Sequence, residues 1–234
     1  MSPPITTARI AGFLYLLQIP LGIFGILYVP NALLVPGDVA ATANNILAHE
    51  FLFRLSIVSA ILCPLVTIAT ALFLYKLLNS VNKNHAVLMV IFALVYTPIA
   101  MLNELNHVAV LLLLKGPEYL TIFTTSQLQT LVPIFFDLHK YGIQIVGIFF
   151  GLWLLPMGYL VFKSNYIPKI IGVMLIVASF GYVIDFFTYF IFPSFGVAIS
   201  GYTFVGEVLM VFWLLIKGVN VEQWEKRTLE SAGK

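Results

Sequence analysis

Charge is scarce in this chain. Only 9% of the residues are Asp, Glu, Lys or Arg, against about a quarter in a soluble domain, which excludes an ordinary water-soluble globule. Cysteine is nearly absent. The single Cys63 rules out an internal disulfide, and inside an apolar run it reads as a buried, inert thiol. A Gly-rich phosphate loop, a His-Glu-x-x-His helix and a Cys pair are all missing, so the common nucleotide and zinc-protease signatures are excluded. The net charge of +2 is too small for the basic footprint of a nucleic-acid binder. What the chain has in quantity is hydrocarbon: 61% of its residues are hydrophobic.

That hydrocarbon is organised. Six runs, near residues 10–28, 55–75, 86–105, 142–162, 168–190 and 197–216, are each long enough to cross about 30 Å of lipid as a helix of about 20 residues. The fold class is therefore all-α, a polytopic membrane bundle of six transmembrane helices. Residues 1–218 read as one transmembrane domain, and 219–234 as a short polar cytoplasmic tail. Trp224, Lys226 and Arg227 give that tail the make-up of an interfacial helix. The first run is too long for a cleaved signal peptide and no small-x-small site follows it, so it is expected to be retained. The third helix continues through His107 to Leu114 and stops at Lys115-Gly116-Pro117. The fourth starts early, where Ser126 and Gln129 have capping-box spacing.

Basic residues set the orientation. Arg9, Lys76, Lys83, Lys163, Lys169 and Lys217, with Lys226, Arg227 and Lys234, flank one set of ends; Arg54, Lys115 and Lys140 flank the other. Both termini are expected in the cytoplasm, with the 31–53 and 115–136 loops outside.

The few ionisable groups inside the spans give function an address, because charge in hydrocarbon costs a few kcal/mol on insertion scales. At about 1.5 Å per residue, Arg54, Glu104, Asp137, His139, Lys140 and Asp185 fall near the outer boundary, and Glu207 lies about 14 Å above Ile216, near the midplane. Helical spacing puts Asp137, Tyr141 and Gln144 on one side of the fourth helix, with Lys140 beside it and His139 pointing elsewhere. Asp185 shares a face with Tyr182, and Gln18 with Tyr15. These faces predict an outward-open polar funnel with Glu207 at its floor. On the second helix, Ser56, Ser59, Cys63, Thr67 and Thr70 repeat at helical spacing, which predicts close helix packing.

Two alternatives compete at the charged positions. Glu104-Leu-Asn-His107 has Glu-x-x-His spacing, as in carboxylate-bridged metal bundles, and Asp137 and His139 are available as further ligands. No second Glu-x-x-His exists, so pairing of Glu104 with Arg54 or Lys140 is the favoured expectation. A haem between His107 and His139 is disfavoured, since it needs both imidazoles on facing helices. Asp185 and Glu207 have no basic residue within a turn, so each has to find a partner on another helix, hold a proton or meet a ligand. A bridge from Asp185 to Arg54 or Lys140 is one such partner.

Several motifs run in order along the chain: Ala8-Arg-Ile-Ala-Gly12, Glu50-Phe-Leu-Phe-Arg54, Asp137-Leu-His139-Lys-Tyr141-Gly142, Phe149-Phe150-Gly151-Leu152, Pro168-Lys-Ile-Ile-Gly172, Gly181-Tyr-Val-Ile-Asp185, Gly206-Glu207 and Trp213-Leu-Leu-Ile-Lys217-Gly218. On these the chain resembles the domain-of-unknown-function 4386 family of bacterial integral-membrane proteins, over about residues 8–219. The resemblance implies a multi-span protein of the bacterial plasma membrane, with recurring polar positions at Glu50, Arg54, Asp137, His139, Asp185 and Glu207. Glu104 and His107 lie outside that pattern, which weighs against a metal site.

The reading that follows is a binding or transport protein with an outward-facing polar pocket, built from Glu50, Arg54, Asp137, His139, Lys140, Asp185 and Glu207. Its partners would be the lipid bilayer and a small-molecule or lipid ligand, with no nucleic acid and no required cofactor. The alternative is an intramembrane enzyme, metal-assisted or acid–base, acting on a lipid or small amphiphile through Glu104, His107, Asp137, His139 and Asp185.

Overall fold

The computed structural model describes residues 3–116 and 118–233; Pro117 and Lys234, used above for a helix stop and for orientation, lie outside the described residues. The structure is all-helical, with no strand among the described residues. Its helices are α1 (Pro4–Leu33), α2 (Val39–Ala48), α3 (Glu50–Leu78), α4 (Lys83–Lys115), α5 (Thr125–Ser164), α6 (Lys169–Ile191), α7 (Ser200–Ile216) and α8 (Val221–Ala232). Five of them, α1 and α3 to α6, are long and apolar enough to cross a membrane. The sixth crossing, if α7 is one, belongs to a pair bent by 100° between α7 and the polar α8. Large side chains such as Phe13, Leu102 and Ile170 are more than half exposed, which a lipid-facing surface accommodates and water does not.

The ends of these helices follow local chemistry. Gly116, at φ 56°, closes α4, as the sequence predicts. The capping box of α5 sits two residues earlier than its expected place at Ser126 and Gln129. The Thr124 hydroxyl accepts from the Gln127 amide at 3.3 Å, and the Gln127 carboxamide accepts from the Thr124 amide at 2.8 Å. The same Ser/Thr-x-x-Gln pattern occurs at both places, and the chain uses the one that starts the helix about half a turn earlier. The 31–53 segment, expected as a loop, contains α2, because the Asp38 carboxylate caps the Ala41 amide at 2.8 Å and supplies the start of a helix.

The chain divides into two compact units. Unit 1 comprises Met1–Leu17, Leu65–Thr97 and Gln144–Lys234. Its core is built on Trp153, Leu154, Met157 and Leu160 of α5, with Leu74, Leu77, Met210 and Leu214. Gly158 and Gly172 let α5 and α6 touch backbone to backbone: a Cβ on Gly172 would fall 2.5 Å from the Phe162 amide nitrogen. At one end, the Leu77 carbonyl accepts from the Tyr166 hydroxyl at 2.8 Å and from the Trp224 indole at 3.0 Å, which ties α8 to the end of α3.

Unit 2 comprises Gln18–Pro64 and Pro98–Ile143, around Val29, Ile46, Phe53, Val110 and Val132. The small-residue spacing on α3 does pack. Ser59 Oγ donates to the Leu21 carbonyl at 2.9 Å, and a Cβ on Gly25 would fall 2.7 Å from the Ser56 carbonyl, so the α1 and α3 backbones meet there. Inside α1, residues Ile23–Tyr28 form a π-helical segment.

Candidate functional site

Each unit holds one buried carboxylate with polar partners, and both carboxylates sit at a joint in their helix. In α4 the regular ladder breaks at Glu104, whose amide bonds to the Met101 carbonyl three residues back at 3.2 Å. In α7 the break is at Phe204, and the Glu207 amide returns to the Phe204 carbonyl at 2.9 Å. A three-residue return is tighter than the α ladder and locally redirects the chain.

In unit 2, Glu104 is 2% exposed and stands between two imidazoles. Its Oε2 is 2.9 Å from Nδ1 of His107 and its Oε1 is 2.8 Å from Nε2 of His139. The two rings stack with centroids 3.8 Å apart. Phe53 and Phe136 flank the His107 ring at 5.3 and 5.5 Å. His107 Nε2 is buried with no hydrogen-bond partner among the described residues. Asn103 fixes the other side: its Nδ2 donates to the His139 carbonyl at 2.9 Å, and a Cβ on Gly142 would overlap the Asn103 carboxamide. Gly142 is therefore the opening through which α4 grips α5 beside His139.

These contacts correct several expectations. Glu104 pairs with His107 and His139, not with Arg54 or Lys140. His139 points into unit 2, while Asp137 and Lys140 are exposed. Asp137 lines a separate cleft of about 170 Å³ with Asp38 and Phe136, so it does not join the proposed ligands. Residues two apart on a helix point about 200° apart, so choosing Asp137 as the inward group forced His139 outward. The usable clue was a heptad: His139, Val146, Trp153 and Leu160 are all buried. A haem between His107 and His139 does not fit, because rings stacked at 3.8 Å leave no room for a macrocycle with one ligand on each face.

Arg54 and Glu50 meet at the surface. Arg54 Nε donates to Glu50 Oε1 at 2.7 Å, and Lys115 Nζ reaches the same oxygen at 2.9 Å. This group beside an apolar cleft of about 370 Å³ is a solvated ion cluster, the kind that contributes little to stability.

In unit 1, Glu207 is 8% exposed, and no Lys, Arg or His pairs with it among the described residues. Tyr15 donates to its Oε2 at 2.9 Å and Tyr182 to its Oε1 at 3.1 Å. Gly206 makes the position possible: a Cβ there would fall 2.6 Å from the Met174 carbonyl carbon, so α7 lies directly on α6. Trp153 packs edge-on against Tyr15 at 5.8 Å and Phe150 against Tyr182 at 5.2 Å. The Trp153 indole N–H is buried without an acceptor among the described residues.

Asp185 does different work. Its two oxygens accept from the Ile199 and Ser200 amides at 2.6 and 2.9 Å, satisfying free donors at the start of α7. Backbone amides stand where a bridge to Arg54 or Lys140 was one of the options expected for it.

Comparison with known proteins assigns a family. The profile of the family described as domain of unknown function DUF4386 matches residues 10–218, and the chain belongs to that family. A relative from the archaeon Archaeoglobus fulgidus, named as an uncharacterized protein, is 36% identical over 184 residues. The match covers 74% of this chain and 93% of the relative. No solved structure matches.

Proposed function

We propose that this membrane protein is a binding or carrier protein in which Glu207, with Tyr15 and Tyr182, accepts a proton or the cationic group of a ligand. One observation carries the reading: a carboxylate buried in an apolar bundle has both oxygens on phenols and no basic partner among the described residues. An uncompensated charge there is expensive, so intramembrane carboxylates of this kind mark proton or ligand sites. A phenol both donates and accepts, so Tyr15 and Tyr182 serve the carboxylate and the neutral acid without rearranging. The unpaired Trp153 N–H beside Tyr15 offers a further donor. Depth along α7, about 14 Å from Ile216, suits a site near the midplane. The grouping of basic residues supports a plasma-membrane topology with both termini in the cytoplasm.

The test is a pH titration by infrared difference spectroscopy on the detergent-purified protein, paired with proton uptake into dye-loaded proteoliposomes. The wild type is expected to show a carboxyl band that titrates, is absent in Glu207→Gln and shifts in Tyr15→Phe. A Glu207→Gln protein with the same band and the same proton uptake removes Glu207 from the proposal.

A further inference from the structure

We propose that Glu104, His107 and His139 form a binding site for one divalent first-row transition-metal ion, separate from the Glu207 site and independent of its role. Two imidazoles and one carboxylate are a borderline donor set. They suit zinc, iron(II) or manganese(II) better than calcium or magnesium, which take oxygen ligands. Three protein ligands also leave coordination positions open, as catalytic zinc and non-haem iron sites do.

The geometry is close to that of a filled site. One ligand atom from each residue lies within 4.8 Å of the others, and the two nitrogens stand 2.9 and 2.8 Å from separate oxygens of Glu104. Metal bonds of about 2.0–2.2 Å place neighbouring donor atoms roughly 3 Å apart, so small movements suffice to coordinate an ion. The scaffold is built for position. Glu104 is set by the joint in α4 and His139 by the Asn103 bond to its own carbonyl, and Gly142 makes room for that bond.

A metal-free hydrogen-bonded cluster explains the same contacts less completely. Holding Glu104 by His107 Nδ1–H leaves a bare lone pair on Nε2, buried beside Phe53 and Phe136 with no donor. Ligation through Nδ1 moves the proton to Nε2, and an N–H is better suited to aromatic surroundings than a lone pair. The ion also supplies the positive charge that a buried carboxylate needs, without a second proton on either of two stacked imidazoles. By helix depth the cluster lies toward the Lys115 end of α4, about 27 Å from Ala86.

The experiment uses the full chain without a histidine tag, purified in detergent and stripped with a chelator. Cobalt(II) is titrated while the visible d–d bands are followed, and X-ray absorption is then recorded on the zinc-loaded protein. The expected result is one ion per chain with imidazole scattering in the zinc spectrum. Affinity falls by at least about tenfold in His107→Ala, His139→Ala and Glu104→Gln, since even outer-shell losses weaken metal sites that much. It is unchanged in His85→Ala, whose ring stacks on Tyr159. No stoichiometric uptake by the wild type, or a zinc shell without imidazole, overturns the proposal, and this measurement decides the matter even where a variant fails to fold. Undiminished uptake by a folded His107→Ala protein overturns it as well.

Discussion

His139 Nε2–H donates to Glu104 Oε1 over 2.8 Å, across 35 positions of sequence. The contact joins α5 to the joint in α4, and the two residues are 5% and 2% exposed. Asn103 holds the α5 backbone at the same point through the His139 carbonyl. The polar cluster and the close helix approach are therefore one construction, and disturbing either should disturb both.

Gly142→Ala tests that coupling. The new methyl overlaps the Asn103 carboxamide, and overpacking of this kind costs about 1–3 kcal/mol. Thermal unfolding in detergent should show a lower midpoint. The pair Gly142→Ala with Asn103→Ala should lose less than the sum of the two single changes, because the second removes what the first collides with.

Tyr15→Phe and Tyr182→Phe each delete one donor to Glu207 and keep the ring that packs on Trp153 or Phe150. Each should cost about 1–2 kcal/mol, the usual cost of unpairing one member of a buried hydrogen bond. In the Glu207→Leu background the same changes should cost measurably less. Equal costs in both backgrounds, by thermal or denaturant unfolding, would separate the phenols from the carboxylate.

Asp185→Ala removes the cap on the Ile199 and Ser200 amides. The loss of a helix cap costs about 0.5–2 kcal/mol, and its local signature is faster hydrogen exchange at those two amides. Exchange unchanged at Ile199 and Ser200 would contradict the assignment.

Tyr166 lies between α5 and α6, and burial pushes its phenol up from the ordinary tyrosine value. The folded state thus keeps a proton that the unfolded chain releases at lower pH. The stability owed to this group is complete below about pH 10 and is lost as pH rises from there toward the folded-state value. Tyr166→Phe lacks that dependence, so the difference in melting temperature between the two proteins should change between about pH 9 and about pH 11. A constant difference would count against it.

The long helices were legible because about 20 apolar residues in a row have few other uses, and the α4 stop was legible in Gly116. The small-residue stripe on α3 was legible because spacing alone defines it. Which polar residue of α5 turns inward was not. Asp137 and His139 are both costly in lipid, and near a membrane boundary the one that reaches water is released from pairing. Only the partner decides, and Glu104 stands 35 positions away, on the preceding helix. The phenols on Glu207 were hidden differently: Tyr15 and Tyr182 count as hydrophobic in any composition, and their hydroxyls have meaning only once a carboxylate is found opposite. Asp38 did announce α2, but a capped helix inside an expected loop reads as a turn until its Thr42, Ala43 and Ile46 are seen buried.

The π-helical turn at Ile23–Tyr28 acts as a phase shifter. Such a turn carries one residue more than the α ladder needs, and one residue is about 100° of rotation. The α1 rod therefore bears two angular settings, one on either side of the wide turn, and Val29 and Leu33 are buried only in the second. Deleting one residue from 23 to 28 would return this stretch to the plain α ladder and leave Val29 and Leu33 in register with Ile46 and Phe53. A change of chain length that a regular helix could not absorb would be nearly silent there.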